Sequence, residues 1–559
     1  IACLLSLAVV SGCDSILDKG PLDSFTNDNF WTGEGNISGY ANAFYEQFLG
    51  YGNGNGYGDF YFKTLSDDQA GMSFAKWTYP DNAPSTSAAW KNGWIEVRRA
   101  NIMLENVPTV ASLDEVTKNH WLGVARLMRA WQYYHLVRMY GNLPWIDKAL
   151  NINDEGEIYG NREDRDMVMD KVLEDLDFAV TNIKDIPSKT TWSRSLANAM
   201  KAEVCLYEGT FRKYRKNEDG QQAPDATGAA RYLTACKEAC LAVMSKGYKL
   251  NTSYQGNYNS TDLSSNPEMI LYKAYKEGLL MHSTIDYTCS STQISGMSKN
   301  AFESYLFKDG KPMALTSLNK SDEAPFQYGH LSLKAILAVR DKRLAQTIDT
   351  VLLYNGRGFT RFNTGMESTS STGYGVAKYD NEAIPEGFRS QSGKNYTHAP
   401  LFWLSVIYLN YAEACAELGN ITQDDLDKSI NLLKDRAGLP HLNPIVGFSD
   451  PANNHGVSDL IWEIRRERRC ELMFDNDNRY WDLIRWHQLD KLDTTKYPDI
   501  ILGANVANDM DGCEANKVGK YIDGSKDGSR IYDKKHYLYP IPTGQIALNP
   551  QLAPNNPGW

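Results

Sequence analysis

Apolar residues recur at helical spacing through most of the first half of the chain. Between 121 and 140 they fall at Val124, Leu127, Met128, Trp131 and Tyr134, and the run stops at Gly141 with Pro144 beyond it. The stretch 163–183 repeats the pattern with Met169, Val172, Leu173, Leu176, Val180 and Ile183. Residues 195–212 and 229–246 predict a further helix pair across a polar, Gly-containing loop at 217–228. Near the far end, Leu404, Ile407, Tyr408, Tyr411, Cys415 and Leu418 share one stripe, with Glu413 and Glu417 off it and Gly419 as a stop signal. Residues 425–437 and 455–475 add further helices. Between about 250 and 400 the period fades, Ser, Thr, Gly and Tyr rise, and short β-like runs such as Met269–Ala274 appear. Residues 50–62, GYGNGNGYGDFYF, form a second irregular stretch. The pattern predicts a mainly α fold: a tetratricopeptide-like scaffold of helical pairs with long irregular loops and a few short strands.

The first residues carry a different signal. Residues 3–10, CLLSLAVV, are too short to span a bilayer, which needs roughly 20 apolar residues. They fit the apolar part of a secretory signal, and Val10-Ser11-Gly12-Cys13 resembles the lipobox of bacterial lipoproteins. The expected organisation is a partial signal peptide over 1–12 and a lipidated Cys13 with its tether over 13–29. A single domain over 30–559 follows, with its helical scaffold at about 30–250 and 400–490. A loop-rich ligand-binding insert occupies about 251–400, and 491–559 is an extended C-terminal region. Acyl chains on Cys13 would hold the protein to a membrane, since more than one chain gives stable anchoring.

Composition narrows the function. An apolar fraction of 42% and a charged fraction of 23% fit an ordinary globular protein. The net charge of −11, with no Lys/Arg-rich run, argues against nucleic acid as a partner and against a body seated on anionic lipid. With Cys3 and Cys13 set aside, seven of the nine Cys remain, without a C-x-x-C pair, and are expected as buried thiols. The nine His lack ligand spacing, and the Asp/Asn-rich loop at 505–515 lacks EF-hand spacing, so no metal is assigned and no cofactor is expected. None of the motifs H-E-x-x-H, G-x-S-x-G or G-x-x-x-x-G-K-[ST] occurs. The Glu463, Glu467, Glu471 ladder with Arg465, Arg468 and Arg469 cannot face two carboxyls across a substrate from one helix. It is read as ion pairs within and between helices.

Four segments together resemble the SusD/RagB-like family of outer-membrane nutrient-binding lipoproteins. The first is Asp18-Lys19-Gly20-Pro21 with Phe30-Trp31 and Tyr40 to Phe48. The second is Ile95 to Asn101, Ala125 to Ala130 and Leu136 to Pro144. The third runs from Tyr408 to Ala414, through Arg436 to Pro440 and Ile464 to Leu472, to Arg479 to Leu483 and Arg485-Trp486. The fourth is Tyr537 to Pro542 with Leu548 to Pro550 and Asn556 to Trp559. Trp403 and Val406 stand where the family often has Arg and Glu, Asn476-Asp477 replaces a common Glu-Gly, and Gln545 replaces an acidic residue, so a local polar network is expected to differ. The resemblance implies a non-catalytic, surface-exposed lipoprotein on the outer membrane. Such a protein captures oligosaccharide and delivers it to a SusC-like TonB-dependent transporter. Peptide capture for import, a tetratricopeptide-type adaptor and a surface glycoside hydrolase are the alternatives.

Sugar rings present flat C–H faces that pack on aromatic rings, while their hydroxyls need polar partners at the rim. The 33 Tyr and 13 Trp supply many candidates. Those in irregular segments with polar neighbours are Tyr57, Phe60 and Tyr61; Trp77 and Tyr79, which follow Asp67 and Asp68; and Tyr287 with Gln293. Trp94, Trp131, Trp481 and Trp486 lie in helical segments and are expected in the core.

Overall fold

The computed structural model describes residues 30–61, 66–71, 82–289, 296–318, 332–352, 359–360, 367–368, 370–476, 478–506, 517–525 and 528–559. The signal, Cys13 and the tether therefore lie outside the described residues. Five long helices come first: α1 (Ala88–Asn106), α2 (Glu115–Tyr140), α3 (Arg165–Asn182), α4 (Arg194–Tyr214) and α5 (Ala226–Met244). Each starts behind a Ser or Asp whose side chain accepts a backbone N–H that the helix leaves unpaired. Asp114 takes the Thr117 N–H at 2.7 Å, and Asp225 takes that of Gly228 at 2.9 Å. Helix α2 stops at Gly141, whose φ of 73° suits a residue without a Cβ.

These helices pack in chain order, α1 on α2 through to α4 on α5, the stacked pairs that the spacing predicts. The α4–α5 contact is close because Gly209 has no side chain. A Cβ there would lie 2.8 Å from Leu233 Cγ and 3.0 Å from its backbone nitrogen. Two short helices, α6 (Thr284–Cys289) and α7 (Lys299–Ser304), lie in the irregular middle of the chain. Four more follow: α8 (Leu404–Glu417), α9 (Ile430–Ala437), α10 (Asp459–Glu471) and α11 (Asn478–Arg485). Helix α8 packs on α5 and α10, and α11 on α4, so the late helices close onto the early stack.

The strands are short. The pairing of β1 (Gln69–Ala70) is antiparallel with β3 (Gly296–Met297). That of β2 (Met269–Lys273) is antiparallel with β4 (Ala399–Trp403), placing Met269 opposite Trp403 and Lys273 opposite Ala399. The chain thus leaves the scaffold after β2 and returns at β4, and the loop-rich segment is bracketed by these two strands. Residues 502–505, 517–518 and 521–523 form a small three-stranded sheet in the C-terminal region.

Charge is buried in this fold to an unusual degree. Glu413 and Glu417 lie off the apolar stripe of α8 yet are buried, because α4, α5 and α10 surround that helix. Glu413 accepts both terminal nitrogens of Arg485, at 2.6 and 2.7 Å, and the Trp486 indole N–H at 2.6 Å. Burial raises the Glu413 pKa, but Arg485 outweighs it and holds the carboxyl at about 2. The ladder on α10 pairs as expected. Glu467 and Glu471 both meet Arg343, at 2.5 and 2.9 Å, while Arg465 reaches Glu417 and Arg468 reaches Asp482. Among the described residues Cys205, Cys236, Cys240, Cys289, Cys415 and Cys470 are buried free thiols. Trp131 and Trp486 are buried, whereas Trp94 and Trp481 are only partly so.

Replacing Glu413 with Ala removes one of the two carboxylates that hold buried Arg485 and leaves it only Asp482, at 2.8 Å. The variant is expected to lose about 3–5 kcal/mol of unfolding free energy in urea titrations followed by circular dichroism. The double change Glu413→Leu with Arg485→Met should cost less than the single one. A loss below about 1 kcal/mol for Glu413→Ala would show that this pair does not hold α8 to α11.

Candidate functional site

The Gly/Asn stretch after residue 49 is a tight loop, not a flexible one. Gly52 (φ 86°) permits a turn in which a Cβ would meet the Gly56 carbonyl oxygen at 2.2 Å. The loop is tied down from inside. Buried Tyr51 donates its hydroxyl to the Tyr258 carbonyl at 2.6 Å, and Tyr275 donates to the Gly52 carbonyl at 2.7 Å. From the other side, Ser283 Oγ donates to the Gly54 carbonyl and accepts the Gly393 N–H, both at 2.7 Å. Thr284 Oγ1 donates to the Tyr51 carbonyl at 3.0 Å. Three segments far apart in sequence are locked together at the start of α6.

This framework presents two rings side by side. Tyr57 is 57% exposed and meets the half-buried Tyr287 of α6 edge to face, with ring centroids 5.6 Å apart. The Tyr287 hydroxyl donates to the Asn55 carbonyl at 3.3 Å, which fixes the loop against the helix. Asn53 and Asn55 on the Gly/Asn loop and Ser392 on the segment joined to it are exposed and offer polar groups. Ser392 also donates to Asp286 at 2.7 Å, and Asp286 is buried.

Beneath lies His282, fully buried, with both ring nitrogens committed. Nε2 donates to the Thr397 carbonyl at 3.0 Å, and Nδ1 accepts the Thr284 N–H at 3.1 Å. This is the neutral tautomer's arrangement, since a proton on Nδ1 would point at a donor. Burial pushes the His282 pKa down to about 3.

The other predicted residues fall in different places. Phe60 and Tyr61 are at 0% exposure, so neither can present a face to a ligand. The two rings fill the interior, Phe60 against Tyr51 at 5.0 Å and Tyr61 against Phe474 at 5.7 Å. Asp67 and Asp68 are buried beside arginines and do not rim the aromatic pair. Arg479 holds Asp67 with two bonds at 2.6 and 2.7 Å, and Arg469 Nε holds Asp68 at 2.7 Å. Burial pushes Asp67 up, but Arg469 and Arg479 together hold it well below the usual carboxylate range. Trp77, Tyr79 and Gln293 lie outside the described residues. Sequence reasoning missed Ser283 and His282, because Ser283 bonds Gly54 and Gly393 and His282 bonds Thr397, all more than a hundred residues distant.

A cavity of about 600 Å³ also opens between the helices, walled by Trp131, His135, Phe402 and Trp481. Its lining residues include Gln47, Trp403 and Asn410, each with one buried polar atom that no protein group satisfies. Among the described residues, no group of three or more His, Cys, Asp or Glu side chains is arranged to hold a metal ion. No helix among them is long and apolar enough to cross a membrane.

Stacked helical pairs carrying interlocked loops define the class of fold. Residues 242–559 match the SusD family model, and residues 26–206 match a second model described as starch-binding and associating with the outer membrane. The chain belongs to the SusD family. It is 24% identical over 496 residues to SusD-like protein P38 of Formosa agariphila, spanning 86% of this chain and 90% of that protein. The solved structure of a SusD-like carbohydrate-binding protein from Bacteroides fragilis superposes with a TM-score of 0.69 at 20% identity, covering 94% of this chain and all of the other. A laminarin-binding SusD-like protein superposes with a TM-score of 0.55 at 19% identity, again over 94% and 100% of the two chains.

Because the folded pKa of His282 lies below its unfolded value near 6.5, its contribution to stability is complete above pH 6.5 and is lost as pH falls towards 3. The expected slope from this residue is at most about 1.4 kcal/mol per pH unit. Unfolding free energies measured between pH 7 and 4 should therefore fall more steeply for the native chain than for His282→Gln. Equal slopes would mean that His282 is not held neutral.

Proposed function

We propose that this protein captures glycan on the Tyr57–Tyr287 face and passes it to a SusC-like TonB-dependent transporter without chemical change. The observation that carries the reading is the exposed, edge-to-face ring pair on a loop framework immobilised by buried hydrogen bonds. A rigid aromatic surface binds sugar faces with little loss of conformational entropy, and the rim amides and hydroxyl meet the sugar's own hydroxyls. Membership of the SusD family supports glycan as the ligand, as does the starch-binding description of the model matched by residues 26–206. The laminarin-binding relative supports it at the level of the shared fold. Acyl chains on Cys13 hold the protein at the outer membrane, facing the exterior.

Calorimetric titration of the protein from Asp14 onward against a wide polysaccharide panel is the test. Tyr57→Ala and Tyr287→Ala are each expected to weaken the selected glycan about tenfold, or about 1.4 kcal/mol, and the double variant to abolish binding. Trp481→Ala, in the interhelical cavity, should leave affinity unchanged. Loss of binding in Trp481→Ala alone, with both tyrosine variants unaffected, would move the site into that cavity. In cells fed labelled fatty acid, Cys13→Ala is expected to abolish label incorporation, and retained label would refute the anchor.

A further inference from the structure

Asp67 also lines a second cavity, of about 580 Å³, whose other walls come from α7, α10, α11 and the turn at Leu489–Leu492. The rim residues Ala452 and Asn454 are exposed, so it opens to solvent. Five cations line it: Arg465, Arg466 and Arg469 from α10, Arg479 from α11, and Lys491. Most of the charge is accounted for. Arg466 pairs with Asp450 and Glu463, while Arg469 and Arg479 share Asp67 and Asp68. The remaining lining carboxylates are engaged too, Glu303 by Lys299 at 2.7 Å and Asp499 by Asn300 at 2.6 Å.

Two cations are left with donors to spare. Arg465 is 4% exposed and gives one nitrogen to Glu417 at 2.9 Å, while its Nε and Nη1 have no partner. Its guanidinium carbon lies over two rings, 4.4 Å from the centroid of Trp486 and 4.9 Å from that of Tyr214. Lys491 is 9% exposed, and its ammonium makes no hydrogen bond or ion pair among the described residues. It sits over the half-buried Trp462 ring at 4.6 Å. Unmatched donors that are nine-tenths buried are costly to leave so, and an anion between them removes that cost.

We propose that this cavity is an oxyanion-binding site, which takes a carboxylate or sulfate group on Lys491 and Arg465 with Trp462 beside it. The volume admits a ligand as large as an acidic monosaccharide. Burial brings the Lys491 ammonium down to about 7, with Arg479 adding to the depression and Asp67 opposing it, as expected of a cation crowded by others and awaiting a counter-charge. The site is separate from Tyr57 and Tyr287 and does not rest on the glycan reading.

The test is calorimetric titration of the protein with sodium glucuronate and with sodium sulfate at fixed ionic strength, with glucose and sodium chloride as controls. Saturable binding of glucuronate but not sulfate assigns a carboxylate ligand, and the reverse assigns a sulfate ester. Lys491→Met is expected to weaken that binding at least tenfold, Lys491→Arg to restore most of it, and the Tyr57→Ala, Tyr287→Ala double variant to leave it unchanged. Absence of saturable binding by both anions, or equal affinity in Lys491→Met, would overturn the proposal.

Discussion

The fold depends on guanidinium–carboxylate pairs buried between helices. Arg129 on α2 grips Asp175 on α3 with bonds of 2.7 and 2.8 Å and reaches Asn101 on α1 at 3.0 Å, so one side chain ties three helices. Arg165 on α3 does the same for Glu208 on α4, and Arg485 on α11 for Glu413 on α8. Apolar stripes alone would let stacked helices slide or rotate by a turn at modest cost. A buried charge tolerates no such shift, because moving off its partner leaves it desolvated and unpaired. These pairs set the register of the stack rather than adding to its net stability.

The same device places the exposed ring pair. The segment bearing Asp67 and Asp68 is clamped to Arg469 and Arg479, so the chain following the Gly/Asn loop is anchored to α10 and α11. The loop itself is held at the other end by Tyr51, Tyr275 and Ser283. Tyr57 is thereby a rigid element although it lies in a stretch of glycines. Rigidity matters because a binding surface that must be ordered by its ligand loses affinity to that ordering.

The two cavities and the ring pair divide the molecule by chemistry. The ring pair is neutral, amphipathic and on the outside, suited to the face of a sugar. The cavity at Lys491 is lined by cations and opens to solvent at one rim, suited to a single charged group. A protein with both can grip a neutral backbone and an acidic substituent through separate contacts, each tuned by different residues. Arg465, Arg466 and Arg469 all come from α10; the last two are paired with carboxylates, and Arg465 leaves two N–H groups unused.

Periodicity marked most of the long helices and the stacked-pair architecture, because a 3.6-residue stripe is a local property of the chain, but it did not mark α1 or α11 and placed several helix ends differently from the structure. It also marked the Gly/Asn stretch as a place where aromatics leave regular structure, whereas Tyr287, expected in an irregular segment, lies on the short helix α6. Which of those aromatics face solvent was decided by tertiary packing. Tyr57, Phe60 and Tyr61 lie within five residues of one another, yet one is exposed and two are at 0%. Their fates differ because Tyr258, Tyr379 and Phe474 come from three distant segments and, with Tyr51 of the same stretch, enclose the latter two. The burial of Glu413, the neutral state of His282 and the spare donors of Arg465 and Lys491 were equally hidden. Each depends on the supply of counter-charges and hydrogen-bond partners across the fold, which no local spacing encodes.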